Sequence, residues 1–457
     1  MRLAVVGSGP AAFYTVIRAL QKVPSLNVTI FEKGFAPFGL VRTGVAPDHP
    51  EVKSCQERFT QLIDDNPKQI NYLGNVEIGK DISLKQLSDQ YNAVLIATGA
   101  QGNRQLGIEN NTAGKPLRGV VPARNFVNWY NGVHDGALFD PSLLNARKAT
   151  IIGNGNVALD IVRVLLSPLQ RWKDIEFCDL GSSVYDGISK SKIEHIDVVG
   201  RRGLFQSAFT NKEFRELLNL VPMLPVDPKS ELDVEPITRI DKKKIKLING
   251  ISTGLFDNEL LKSNKKSFQF KFHRVPVKFH GDERVTAVEY TYNGKRVVEE
   301  TDLVFTSIGY MGTSAEGYDS VGAQFDVKTG TLLRNPETGI VEGTANIFAS
   351  GWAATGSSGA IAATMRDAFV EGDLIADYLQ KHNDTTAIED NEKQQESPIN
   401  DNINTQDAVS TLEQGNKRII TWNDWKKLDH EEIRRGEIVG KSREKFETKE
   451  QALEYLK

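Results

Sequence analysis

Two short stretches carry the residue types that hold a pyrophosphate: VVGSGPAA at 5–12 and IIGNGNVA at 151–158. In each, an apolar run meets Gly-x-Gly and then a helical period. The first glycine, Gly7 or Gly153, permits a tight strand-to-helix bend. The second, Gly9 or Gly155, leaves no side chain between the backbone and an approaching phosphate. The helix that follows starts with unpaired N–H groups and the positive end of its dipole, and both favour an anion. Alanine takes the third position of both turns, Ala12 and Ala158, and still lets helix and strand pack closely.

The end of the next strand sets which dinucleotide each turn suits. After the first turn, NVTIFEK ends at Glu32, about twenty residues on, where a carboxylate accepts hydrogen bonds from both ribose hydroxyls and repels a 2′-phosphate. That site suits FAD or NAD. After the second turn, IDVVGRRG puts Arg201 and Arg202 in the corresponding place, and two guanidiniums match a 2′-phosphate in charge and fork geometry. That site suits NADPH. The alternatives are an ordinary glycine-rich turn for the first and a solvated arginine pair for the second. Two sites of opposite 2′ preference in one chain imply a resident flavin and the nicotinamide that reduces it. A third glycine-rich stretch, GWAATGSSGAI at 351–361, precedes a long helix. There Trp352 could cover the flavin and Gly359 could bring backbone N–H groups to it, or the stretch is a plain strand–helix turn.

The elements that must position these residues follow from apolar periodicity. RLAVVGSG, PAAFYTVIRALQKV and NVTIFEK read as strand, helix and strand, DHPEVKSCQERFTQLIDDN as helix, and YNAVLIATGA as a further buried strand. From about Arg118 the pattern restarts with PARNFVNWYNG as helix, ATIIGNG as strand, NVALDIVRVLLS as helix, IEHIDVVGRRG as strand and TNKEFRELLNLV as helix. SFQFKFHRVPVKFH, RVTAVEYTYNG and KRVVEETD alternate apolar and polar residues and read as antiparallel strands with a turn at Asn293–Gly294. LVFTSIGY and NIFASGW are later buried strands. Residues 383–416 are mostly Asn, Asp, Gln, Glu, Ser and Thr and read as a disordered polar connector, after which ITWNDWKKLDHEEIRRG recovers helical texture. The fold class is α/β, with two Rossmann-like dinucleotide-binding units.

The bulk numbers bound the rest. A chain of 457 residues exceeds one ordinary core, and a net charge of −4 gives no global attraction to nucleic acid or anionic lipid. Cys55 and Cys178 are the only cysteines and form no CxxC, which argues against a zinc site, an iron–sulfur cluster or a flavin-facing dithiol. No stretch has the apolar length of a membrane helix, and a strand begins almost at residue 1, which is expected either of a protein without a leader or of a processed form.

The residues now in hand resemble the adrenodoxin reductase family, NADPH–ferredoxin reductases related to glutathione reductase folds. The stretches that carry the resemblance are VVGSGPAAFYT, PFGLVRTGVAPDHPEVK, FVNWYNG, IIGNGNVALDIVRVL, GRRG with FTNKEFREL, TSIGY, ASGW with GAIAATM, and WNDWKKLD with RRGEIVGKSREKF. They span nearly the whole chain in the family's order; 383–416 and much of 173–192 lie outside. The resemblance implies an FAD domain made of 1–106, 305–382 and 417–457, with an NADPH domain, 107–304, inserted into it. It implies FAD contacts at Ala11, Glu32, Leu40, Val76, Trp352 and Gly359 to Ile361 (Gly359, Ala360, Ile361). It implies NADPH contacts at Gly153, Asn154, Gly155, Asn156, Arg201, Arg202 and Glu213, with Gly359 near the nicotinamide. His49 and Asp160 fall at catalytic positions near the flavin, where a hydrogen-bonded proton relay is expected. The local alternatives are that His49 caps the helix PEVKSCQERF and that Asp160 bonds backbone or Asn156.

The same resemblance implies an adrenodoxin-type 2Fe–2S ferredoxin as the one-electron acceptor, in support of steroid hydroxylation, haem A synthesis or iron–sulfur cluster assembly. Such carriers are acidic, and RIDKKKIKLING supplies Arg239, Lys242, Lys243, Lys244 and Lys246 as a docking face, unless this is an ordinary solvated helix face. The compartment implied is the mitochondrial matrix or the inner-membrane periphery, with the cytoplasm as the alternative. The competing readings of function are an NADPH-dependent reductase of a small acceptor such as a quinone, and a non-catalytic NADPH-sensing flavoprotein.

Overall fold

The computed structural model describes residues 1–457 except 109–110, 113–114, 134–138, 175–177, 253, 257–258, 360, 393–411 and 413–416. Two twisted sheets dominate it. The first runs in the order Ile347–Ala349, Ala93–Ile96, Arg2–Val6, Asn27–Glu32, Ile70–Gly74 and Ile420–Thr421. All its pairings are parallel except that of the last strand, which lies antiparallel to Ile70–Gly74. The second sheet runs Ser267–Lys271, His195–Val199, Lys148–Ile152, Leu303–Thr306 and Val120–Pro122, parallel throughout. Strands such as LAVV and ATII are buried on both faces because helices cover both sides of a parallel sheet.

Each glycine turn leaves a strand at which the strand order reverses. Arg2–Val6 lies between Asn27–Glu32 and Ala93–Ile96, and Lys148–Ile152 lies between His195–Val199 and Leu303–Thr306. Such switch points open a crevice at the C-terminal ends of the strands. The two turns are also packed alike. A Cβ on Gly7 would stand 2.6 Å from the Ala97 carbonyl oxygen, and one on Gly153 would stand 2.1 Å from that of Ser307. Both backbones have φ above +100°, a region open to glycine.

Three sequence expectations change. Ser267–Lys271 is no hairpin strand: it extends the second sheet in parallel beside His195–Val199, because Phe268 and Phe270 bury there. The antiparallel sheet holds only Val275–Gly281, Val285–Tyr292 and Lys295–Glu300, with the tight turn at Asn293–Gly294, both at positive φ. The expected boundary at 304/305 cuts a strand, since Leu303–Thr306 pairs with Lys148–Ile152 in the second sheet. The chain crosses between sheets beyond it, where Tyr310–Met311 pairs with Gly102–Asn103. Finally, helix Ile361–Glu392 continues past residue 382, led by a stripe of Ala368, Ile375 and Leu379 packed in the first unit's core beside helix Pro10–Lys22. Leu412 is 6 % exposed and joins the cluster containing Val76 and Ile82. The segment 383–416 is therefore not a disordered connector throughout; its remaining positions lie outside the described residues.

The C-terminal segment ties the two units together. After Ile420–Thr421 comes helix Trp422–Ile438, whose Glu432 pairs with buried Arg42 at 2.6 Å. Further on, Lys445 reaches Asp179 of the inserted unit at 2.7 Å, and Lys53 donates to both oxygens of that carboxylate at 2.7 Å. Burial pushes the Lys445 amine down to about 7, opposed by the Asp179 charge. Glu444 accepts from the Ser182 backbone N–H at 2.7 Å.

Candidate functional site

The first cradle is built around Gly9. Helix Pro10–Lys22 has no side chain capping its N-terminus, and the space a Cβ on Gly9 would enter is empty to 4 Å. Its first N–H groups are thus free to meet a diphosphate. Glu32 stands beside the turn, where Oε2 accepts from the Ser8 N–H at 3.0 Å and the Ser8 hydroxyl at 2.6 Å, and Oε1 accepts from the Gly34 N–H at 2.8 Å. These three bonds use three of a carboxylate's roughly four lone-pair sites, so Oε1 keeps one for a ribose hydroxyl. Phe38 and Gly39 both have positive φ and press the loop onto the turn, with the Phe38 N–H on the Ser8 carbonyl at 2.9 Å. Leu40 opens the short helix after Gly39. Val76, 1 % exposed, donates its N–H to the Glu32 carbonyl at 2.8 Å. Ala11 packs under Gly351, where a Cβ would come within 2.5 Å of the alanine's own. Trp352 donates its indole N–H to the Ser358 carbonyl at 3.1 Å, and Gly359 holds φ +84° just before Ile361 starts the long helix. Ala360 lies outside the described residues. These features fit the adenosine and diphosphate of FAD.

The second cradle repeats the plan. Helix Asn156–Leu166 begins after Gly155 with no side-chain cap. Asn154 donates to the Ser207 hydroxyl at 3.2 Å, and Asn156 accepts from the Thr210 N–H at 2.8 Å, so both amides are already fixed by the loop that follows the arginines. Arg201 and Arg202 are exposed at the end of His195–Val199, which suits a phosphate arriving from solvent.

Between the cradles lies a buried charge cluster. Arg163, from helix Asn156–Leu166, is fully buried and places Nε 2.5 Å and Nη2 3.1 Å from the two oxygens of Asp48, across the boundary between the units. Its Nη2 also meets Asp160 at 2.7 Å, and Nη1 meets Glu213 at 3.3 Å. His49 turns Nε2 to Glu216 at 2.8 Å, with Glu213 at 3.7 Å, and Arg171 braces Asp48 and Glu216. The nearest polar atoms of His49, Asp160 and Glu213 lie within 4.8 Å of one another. Burial pushes the Asp160 carboxyl up to about 6, with Arg163 opposing and the Glu213 and Asp48 charges adding. For His49 burial disfavours the cation, yet the Glu216 hydrogen bond carries the imidazole above its usual value. The Asp48 carboxyl goes the other way: burial is outweighed by Arg163 and Arg171 and it is held well below the usual range. An acid pushed up to about 6 and a raised imidazole therefore stand together beside the ionised Asp48–Arg163 pair. The buried Tyr130 hydroxyl, which feels the charges of Asp160, Arg163 and Asp48, has no hydrogen-bond partner among the described residues.

The structure brings His49 and Asp160 together, and neither takes its local alternative. His49 makes no side-chain cap to Pro50–Lys53, and Asp160 bonds Arg163 rather than Asn156. Glu213, expected at the dinucleotide, has its carboxylate on Arg163. Sequence reasoning missed Arg163, Asp48 and Glu216. Arg163 had a signal: a single cation inside the apolar run DIVRVLL. The basic helix Arg239–Ser252 exposes Arg239, Lys242, Lys243 and Lys246. Lys244 is a correction: it is 2 % exposed, donates to the Ser207 carbonyl at 3.0 Å and sits over the Phe209 ring at 4.7 Å. It cannot dock a partner. Cys55 and Cys178 are both free, and burial raises both thiols.

Comparison with known proteins agrees with this geometry. The model of the pyridine nucleotide-disulphide oxidoreductase family matches residues 1–212. The human NADPH:adrenodoxin oxidoreductase, mitochondrial, is 34 % identical, covering 100 % of this chain and 92 % of its own. The protein of the same name from Salvelinus fontinalis is 34 % identical over 97 % of this chain and 89 % of its own. Among solved structures, FprA of Mycobacterium tuberculosis in complex with NADPH is 29 % identical, with a TM-score of 0.83 over 99 % of this chain and 98 % of that one.

Proposed function

Because this chain belongs to the NADPH:adrenodoxin oxidoreductase family, whose members are FAD-dependent oxidoreductases, we propose that it passes electrons from NADPH to an acidic 2Fe–2S ferredoxin of the adrenodoxin type. The observation that carries this is the pair of switch-point cradles, one ending in Glu32 and the other in Arg201–Arg202. FAD, when bound, supplies the step between the two-electron donor and a one-electron acceptor.

The chain's own residues do the rest. The uncapped helix starts at Pro10 and Asn156 hold the two diphosphates, and Glu32 fixes one ribose while Arg201 and Arg202 select the phosphorylated one. Position, rather than a protein base, would bring the nicotinamide and the flavin together, the chemistry of direct hydride transfer being the cofactors' own. His49 and Asp160 hold or release a proton near neutral pH, with Glu216 steadying the imidazole and Arg163 keeping Asp48 ionised. The relatives are named mitochondrial, and we place this chain in the matrix, at the face of the inner membrane. No helix among the described residues is long and apolar enough to cross a membrane.

Mixing the yellow protein with NADPH under anaerobic conditions should bleach the flavin band promptly; binding without bleaching would make it a sensor. Reduction of cytochrome c by NADPH should then require an added adrenodoxin-type ferredoxin and weaken as salt rises. Turnover of a quinone at the same rate, insensitive to salt and without ferredoxin, would instead favour a small acceptor. Glu32→Ala should raise the FAD dissociation constant by roughly tenfold to a hundredfold, the loss of one charged acceptor to the ribose. The flavin-to-protein absorbance ratio after gel filtration measures it, and full retention would remove Glu32 from the site.

A further inference from the structure

We propose that the docking face for the ferredoxin has an apolar anchor, Ile237 with Ile240, set into the basic patch; this rests on the ferredoxin reading above. The turn before helix Arg239–Ser252 is a capped start. Asp241 accepts from the Thr238 N–H at 2.9 Å and hydroxyl at 2.7 Å, while the Asp241 N–H returns to the Thr238 hydroxyl at 3.1 Å. In such a cap, an apolar residue preceding the cap usually packs on the fourth helical residue. Here the preceding residue is Ile237 and the fourth is Lys242, so the staple has no apolar mate. Ile237 is left 91 % exposed, and Ile240 in the first turn is 62 % exposed. Apolar side chains left in water at one helix start offer area whose burial by a partner is favourable.

What would cover it is indicated by charge. Asp241 and Lys244 of the same helix are turned inward, leaving Arg239, Lys242, Lys243 and Lys246 as its outward charges. Exposed Asp233 and Glu235 border the patch on its N-terminal side, so a complementary partner carries its acids over the lysines and an uncharged rim over the isoleucines. Beside Ile240 a recess of about 590 Å³ lies between the starts of helices Asn211–Leu218 and Arg239–Ser252, with Phe205 and Phe209 on its wall beside the polar Ser207, Thr210, Asn211 and Thr238. Lysines steer the encounter and lose force in salt, whereas apolar burial does not, so the anchor sets the salt-resistant residue of affinity.

The test measures binding of an oxidised adrenodoxin-type 2Fe–2S ferredoxin to the FAD-loaded enzyme by surface plasmon resonance at about 50 and about 300 mM salt. Ile237→Ser with Ile240→Ser should raise Kd about tenfold at both salts, mainly through faster dissociation. Lys242→Gln with Lys243→Gln should slow association and flatten the salt dependence. If the lysine variant weakens binding and the isoleucine variant does not, the anchor is wrong and the basic docking face stands. If neither variant changes binding, docking is elsewhere and the proposal falls. If the isoleucine variant binds ferredoxin normally but loses affinity for anionic lipid vesicles, the patch is a membrane contact and the proposal again falls. Wild-type enzyme that fails to bind any such ferredoxin would overturn the functional reading itself.

Discussion

Arg163→Met is expected to cost about 3–5 kcal/mol of stability at pH 8, the usual penalty for stripping the cation from buried carboxylates. For a unit of this size that lowers the melting temperature by roughly 8–15 °C. The volume change is small; the charges decide. Asp48 and Asp160 both face the guanidinium, and Asp48 lies in the other unit, so the loss falls on the junction as well as on the inserted unit's core. The pH dependence has a definite sign. In the native protein the Asp48 carboxyl is held below its unfolded value, so its contribution is fully present above the ordinary carboxylate range and fades only as pH falls through the depressed value. That term is flat between pH 8 and 5. Without the guanidinium, burial dominates and raises the carboxyls, above all Asp160, which is already pushed up to about 6. A raised acid destabilises the folded state while ionised, so the variant's deficit should be largest at pH 8 and shrink toward pH 5. Urea midpoints at the two pH values measure this. A deficit independent of pH would show that packing, not charge, is what Arg163 supplies.

The second large effect is on cofactor choice. Arg201→Ala with Arg202→Ala should raise the Michaelis constant for NADPH by roughly a hundredfold to ten-thousandfold, two charge-assisted contacts at about 1.5–3 kcal/mol each. NADH carries no 2′-phosphate and should be used as before. Because the contact is remote from the nicotinamide and is made equally in ground and transition states, the maximal rate with NADPH should hold. Both side chains are exposed at a strand end, so folding is not at stake. Equal losses with NADH and NADPH would remove the 2′-phosphate assignment, and unchanged constants would place the phosphate elsewhere.

Much of this site was legible before any fold was known, and the reason is local chemistry. A Gly-x-Gly turn followed by an acid or two arginines is written within about thirty residues, because one βαβ unit positions all of it. The turn at Asn293–Gly294 was legible for the same reason. Helix Arg239–Ser252 marks the edge of that legibility. Five cations in twelve residues suggested a single basic face, but Lys244 shares a helical stripe with buried Leu247 and Ile248, and its stem packs inward with them. The spacing was there to be used; the identity of the residue hid it.

What the sequence alone determined is therefore the α/β class and the pair of Gly-x-Gly strand–helix turns, one followed by an acid and the other by two arginines. Tertiary structure decided everything that depends on residues distant in the chain. It turned Glu213 toward Arg163, joined Asp48 and His49 to a helix more than a hundred residues away, and put Lys53, Asp179 and Lys445 on one another. It also sent Leu303–Thr306 to the second sheet and drew Leu412 into a core. The physical reason is that hydrogen bonding and periodicity act along a few turns of chain, whereas the cost of burying a charge is met only by whichever opposite charge the folded topology delivers.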